Sequence, residues 1–170
     1  MTSLRSVTFR DWSFGYGRAT RRPTYDEAEA RRRFDAGETL HALFGDESSP
    51  EVVLCVELPG RLVEVVWLDR LNRPELGYVF HQPDGWPDDE LFLSQTRLTT
   101  YDHNVPLPEG EPSSNEVWFF KPDGSLHGAR AASEGPTERT DGQLDADQLL
   151  LHRERRPAFG EWASLLRQER

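Results

Sequence analysis

The apolar positions of this chain fall into short runs of strand length, alternating in Val7 and Phe9 and nearly continuous in the densest. Residues 51–58 (EVVLCVEL) and 61–68 (RLVEVVWL) are the densest. Both are rich in β-branched side chains and they flank Pro59-Gly60, a turn dipeptide, so they predict a hairpin. Apolar residues occupy nearly every position of the pair, the pattern of strands central in a sheet and covered on both faces. Residues 5–16 (RSVTFRDWSFGY) predict a first strand, and 76–82, 90–100, 115–121 and 125–131 predict four more. The last two flank Pro122-Asp123-Gly124, a second hairpin turn. These segments set the expected count at about six or seven strands, and Leu149–Leu151 could add one more at an edge.

A helical period shows twice. Thr24-Tyr25-Asp26-Glu27 reads as a capping box opening a helix at about 25–36, with Glu27–Arg31 and Glu29–Arg33 at the favourable i,i+4 spacing and Gly37 at its end. Tyr25, Ala28, Ala30 and Phe34 give it only a thin apolar stripe. Pro157 suits the first position of a second helix, about 158–168. There Phe159, Trp162, Ala163 and Leu166 follow at i, i+3, i+4 and i+7, a stripe suited to docking on the sheet. Pro83–Asp89, 104–114 and 133–147 are poor in core formers, and the last two are expected to be flexible loops. The order strand, helix, antiparallel strands, helix is that of an α+β fold, a predominantly antiparallel β-sheet with a helix from each end packed on it. With 170 residues and no dividing linker, residues 1–170 are expected to form a single domain.

Composition supports a real core. Hydrophobic residues are 36% of the chain, and nine Phe, five Trp and four Tyr each bury a large area. Cys55 is the only cysteine, so no disulfide and no thiolate metal site can form within one chain. Inside Val52–Val56 it reads as a small core residue, with no base beside it in the sequence. The start, MTSLRSVTFRDW, has no apolar signal region, and no stretch approaches a spanning helix, so a cytoplasmic protein without membrane partners is expected. Arginine outnumbers lysine 19 to 1, the bias of a GC-rich genome.

Charge is distributed unevenly. Residues 1–36 carry a net +3, residues 37–128 a net −12 and residues 129–170 a net −1. An acidic middle repels nucleic-acid phosphates and attracts a basic protein. Within it, Trp86 sits in Asp84-Gly85-Trp86-Pro87-Asp88-Asp89-Glu90, and Tyr101 adjoins Asp102. Aromatic anchors rimmed by carboxylates have the composition of a hot spot for a basic partner. Asp84, Trp86, Asp88, Asp89, Glu90, Tyr101 and Asp102 are therefore the candidate partner-binding residues. A solvated acidic surface, with Trp86 folded back as a loop plug, is the plainer reading.

Catalytic chemistry finds little purchase. His41, His81, His103, His127 and His152 have no H-x-H or H-E-x-x-H spacing, and Gly15-Tyr16-Gly17-Arg18 is not a phosphate loop. No G-x-S-x-G elbow exists, and consecutive acids such as Asp88-Asp89-Glu90 point to alternate faces of a strand and cannot converge on one ion. No catalytic residue, metal ligand or cofactor is read from the sequence. In the basic start, with Arg18, Arg21, Arg22 and Arg31–Arg33, the Arg31–Arg33 run is largely matched by glutamates one turn earlier and the rest of the chain is strongly negative, so no nucleic-acid partner is expected.

Val65-Val66-Trp67-Leu68-Asp69, Leu76–Phe80, Glu90–Leu93 and Val117–Gly124 give residues 61–131 a texture of aromatic antiparallel strands. In this the chain resembles small actinobacterial immunity proteins of polymorphic toxin systems. The resemblance implies a non-enzymatic protein that blocks a partner toxin by binding it. The alternative class is a small-molecule-binding or enzymatic domain, with Trp67, Tyr78, Phe80, Phe92 and Trp118 lining a cavity in the sheet and His81 or His127 as its polar group. Exposed aromatics suit a homodimer equally well.

Overall fold

The computed structural model describes residues 6–57 and 62–169. Its main body is a ten-stranded, wholly antiparallel sheet. Eight strands follow one another in sequence and in space: β4 (Leu40–Asp46), β5 (Ser49–Glu57), β6 (Leu62–Leu68), β7 (Pro74–His81), β8 (Glu90–Thr100), β9 (Ser114–Phe120), β10 (Ser125–Ala132) and β11 (Glu138–Gln143). The first strand, β1 (Val7–Phe9), adds beside β4, and β12 (Arg153–Arg155) adds beside the first residues of β8. Between β1 and β4 the chain forms the short hairpin β2 (Trp12–Ser13) and β3 (Arg18–Ala19), then the helix α1 (Glu27–Asp35). A second helix, α2 (Ala146–Leu151), precedes β12.

Strand alternation sorts the sheet into two faces. One carries Ala42, Phe44, Val52, Leu54, Val56, Val63, Val65, Trp67, Tyr78, Phe80, Leu91 and Leu93, all buried. It is closed by Ala30 and Phe34 of α1 and by Phe159, Trp162, Leu165 and Leu166 near the C-terminal end. Four of these rings interlock: Phe34 meets Phe159 and Trp162 edge-on at 5.7 and 5.5 Å, Phe159 meets Trp162 at 5.8 Å, and Phe9 stacks on Phe159 at 5.4 Å. The opposite face has a smaller core, Leu43, Val53, Val66 and Leu68, covered by Trp12, Phe14 and Ala19 of the β2–β3 excursion. Burial on both faces explains the near-continuous apolar runs of β5 and β6.

β8 is the longest strand and bends in the middle. Val79 pairs with Gln95 and Phe80 with Leu93, so Ser94 is an extra residue, and its hydroxyl donates to the Val79 carbonyl at 3.1 Å. Beyond that bulge β8 pairs with β9, and before it with β12.

Several expectations are corrected. The strand count exceeds six or seven, because β4, β11 and β12 add to the segments read from the pattern. The segment 133–147 is not wholly loop: it contains β11, and Asp145 opens α2 with a capping box to Gln148. Leu149–Leu151 is helical, not an edge strand. The α1 cap is Asp26, whose carboxylate accepts from the Glu29 amide at 2.8 Å, instead of Thr24. No helix forms at 158–168. Gly160 adopts φ +90°, the chain proceeds in turns, and Trp162 and Leu165 are buried while Ala163 is exposed. The packing on the sheet is there without the helix. The Pro59-Gly60 turn lies outside the described residues, although β5 and β6 pair as a hairpin requires. No helix among the described residues is long and apolar enough to cross a membrane.

Candidate binding surface

The sequence-read residues divide between the two ends of β8. Asp84–Asp89 form the β7–β8 connection and Glu90 starts the strand, whereas Tyr101 and Asp102 follow its last residue. Eleven extended residues lie between, roughly 35 Å at about 3.3 Å each, so the two clusters are not one site.

Both aromatics of this set have intramolecular partners. The Trp86 and Phe92 rings meet in a T-shaped contact at 5.8 Å, and the Arg153 guanidinium lies over the Trp86 ring, 4.5 Å from its centroid. The Tyr101 ring carries the Arg73 guanidinium at 4.0 Å, and its hydroxyl donates to the Pro74 carbonyl. Arg73 is itself buried; it forms an ion pair with Asp69 at 2.7 Å and donates to the carbonyls of His103 and Val105. Burial alone would raise the Asp69 carboxyl, but hydrogen bonds from Arg73 and Leu71 hold it below its ordinary value. The acids of the first cluster are partly matched by β12 and its flank: Arg155 reaches Asp89 at 3.6 Å and Arg153 reaches Glu90 at 3.8 Å. Asp88 accepts from Gln82. Asp84 and Asp102 are exposed.

The five aromatics expected to line a cavity do not do so together. Trp67, Tyr78, Phe80 and Phe92 are buried core, and Trp118 is half-buried with its indole N–H donated to Glu116. Gly128 lies beneath that ring, where a Cβ would fall 2.5 Å from it.

The sheet's second face offers a different surface. Past the cover of the β2–β3 excursion it carries exposed and half-buried side chains, and two cross-strand rows can be followed through the pairing. One runs His41, Cys55, Glu64, Val79, Gln95, Phe119, His127, Asp141; the next runs Leu43, Val53, Val66, Gly77, Arg97, Val117, Ala129, Arg139. Phe119 is 49% exposed, with half-buried Val79 and Val117 near it in the rows. Where Gly77 leaves out a side chain, a cavity of about 360 Å³ opens, bounded by Glu64, Val66, Val79, Gln95 and Arg97, with Phe14 at its margin. Glu64 is half-buried. Burial is the main cause that raises its carboxyl above the ordinary range; Arg97 opposes that shift and Glu57 adds to it.

At the covered end of the first row, His41 lies opposite Cys55, with Asp11 3.8 Å from His41 Nδ1. A base thus stands nearer the thiol than the sequence implied. The surroundings nonetheless disarm it. Burial, reinforced by Glu57 and Glu64, pushes the thiol up to about 12, burial lowers His41, and the Cys55 thiol donates toward Glu57 at 4.0 Å. Among the described residues no group of three or more His, Cys, Asp or Glu is arranged to hold a metal ion.

Sequence reading missed Glu64, Gln95, Arg97 and Phe119. The signal was present as a lone acid inside LVEVVWL, and as polar residues at alternate positions 95, 97 and 99 of a long strand. No family model matches the chain, and neither a curated protein nor a solved structure was found similar to it.

Proposed function

We propose that this chain is a non-catalytic protein-binding module that captures a basic partner on the uncovered face of its sheet. The observation that carries the reading is that face itself. Four neighbouring strands present exposed Phe119, half-buried Val79 and Val117, and unpaired polar groups, within a segment whose net charge is −12. Such a mixture of an aromatic anchor, apolar flanks and a polar rim is what protein interfaces use. The thiol and imidazole on the same face are tuned away from nucleophilic work, which favours binding over catalysis. The resemblance to immunity proteins gives the reading its specific form, an inhibitor held in the bacterial cytoplasm that binds a toxin domain. The acidic β7–β8 connection, Asp84 to Glu90, then serves in attracting the partner more than in anchoring it, since its Trp86 is engaged by Arg153.

The test begins with a partner recovered from the native host and confirmed with purified proteins. Phe119→Ala is expected to weaken that complex by about 2 kcal/mol through faster dissociation. A triple Asp88→Asn, Asp89→Asn, Glu90→Gln variant is expected mainly to slow association and flatten its salt dependence. A complex indifferent to Phe119→Ala but broken by the triple variant would move the anchor to the β7–β8 connection. A self-associated chain with Phe119 in its interface would make the partner a second copy.

A further inference from the structure

The cavity on the open face is built unlike the rest of that surface. Its floor is bare because Gly77 has no side chain, and Val66, Val79 and Phe14 contribute apolar wall. Glu64, Gln95 and Arg97 bring polar groups to the space, and their side chains make no hydrogen bond or close ion pair among the described residues, although the charge of Arg97 acts on Glu64. A volume of about 360 Å³ is at the lower end for ligand sites, sized for one long side chain more than for a large cofactor.

Which charge the cavity favours follows from solvation. Arg97 is exposed and keeps its water, so an anion there gains little. Glu64 is half-buried and has lost water, and the charge of Arg97 nearby offsets only part of that loss. A desolvated charge that lacks a close, fully compensating counter-ion is the one that gains most from another. Glu57 and Glu75 nearby add to the negative field, and the apolar walls suit the methylene stem of a long cationic side chain, with Phe14 available to face its head.

We propose that this cavity receives an arginine or lysine side chain of the partner, its cationic head on the Glu64 carboxylate beside Phe14 and its stem against Val66 and Val79. The inference rests on the protein-binding reading above and supplies its specificity pocket. Arg97 then acts as a selectivity element: it opposes the cation unless its own head swings outward.

The probes are Nα-acetyl-arginine methylamide and its neutral isostere, the citrulline derivative, titrated at millimolar concentration while backbone amide shifts are followed by NMR. The arginine compound is expected to shift the amides of Glu64, Gly77 and Gln95 saturably, and the citrulline compound to bind at least about tenfold more weakly. Glu64→Gln should abolish that preference, and Arg97→Gln should strengthen arginine binding several-fold. Equal binding of the two compounds, no saturable shift, or an unchanged preference in Glu64→Gln would overturn the proposal, as would preferential binding of the corresponding glutamate derivative through Arg97. The two readings fail separately. A confirmed basic partner indifferent to Glu64→Gln removes the pocket and keeps the module, whereas arginine binding in a chain with no protein partner keeps the pocket and removes the module.

Discussion

Glu64 shows how one residue can be costly to a fold and still be placed in its sheet. Its carboxyl is raised in the folded protein, so the folded state holds the proton more tightly than the unfolded chain. The stabilisation this gives is full below the ordinary value of 4.5 and is lost as pH rises through the folded value. Glu64→Gln is therefore expected to raise Tm at pH 7 and to leave it nearly unchanged at pH 3.5, which thermal unfolding at the two pH values checks. Asp69 works in the opposite sense: its carboxyl is depressed, so its contribution is present above 3.8 and fades in acid. Cys55, pushed up to about 12, should resist alkylation at pH 8 in the native protein and react readily once denatured, as mass analysis of labelled samples would show. These local environments were only partly legible in the sequence. The core role of Cys55 could be read from its apolar neighbours. The approach of His41 and Asp11 could not, because it depends on pairing between β4 and β5 and on an excursion folded over them.

At the level of elements, the densest patterns read truest. The β5–β6 pair and the strands β7 to β10 stand close to where the apolar runs and turn dipeptides put them, because burial of one or both faces writes itself into sequence. β11 reads ERTDGQ, exposed at every position, so its extended form comes from pairing with β10 and left no apolar trace. The C-terminal segment misled for a different reason. Its stripe at 159, 162, 163 and 166 fits a helix, yet the residues that pack are 159, 162, 165 and 166, and Gly160 turns the backbone away from helical form. Apolar content predicted docking correctly; spacing did not predict conformation. Trp162→Ala is expected to destabilise the protein by about 3–5 kcal/mol in denaturant unfolding, since the indole is 3% exposed among Phe34, Phe159 and the sheet. Asp145→Ala, which removes half of the α2 capping box, should cost about 1 kcal/mol by the same measurement.

Over the whole molecule, the acidity is a regional property, with the −12 segment forming most of the sheet between a basic start and a near-neutral end. Repulsion within that segment opposes compaction, so moderate sodium chloride is expected to raise Tm before any specific-ion effect sets in; melting curves at low ionic strength and at 0.15 M provide the check. This regional acidity was legible from residue counts alone. The open face was not, because one uncovered side of a sheet becomes visible only when the cover on the other side is known.

That cover also sets a schedule. Hairpins from β4 to β11 can zip in the order in which a ribosome delivers them, but the larger core is sealed by Phe159, Trp162, Leu165 and Leu166, which emerge after every strand. During synthesis a broad apolar sheet therefore waits for its last few side chains. Until Trp162 arrives the growing chain is expected to attract chaperones that recognise apolar surface, and a chain stopped before Phe159 is expected to leave that face open to proteases.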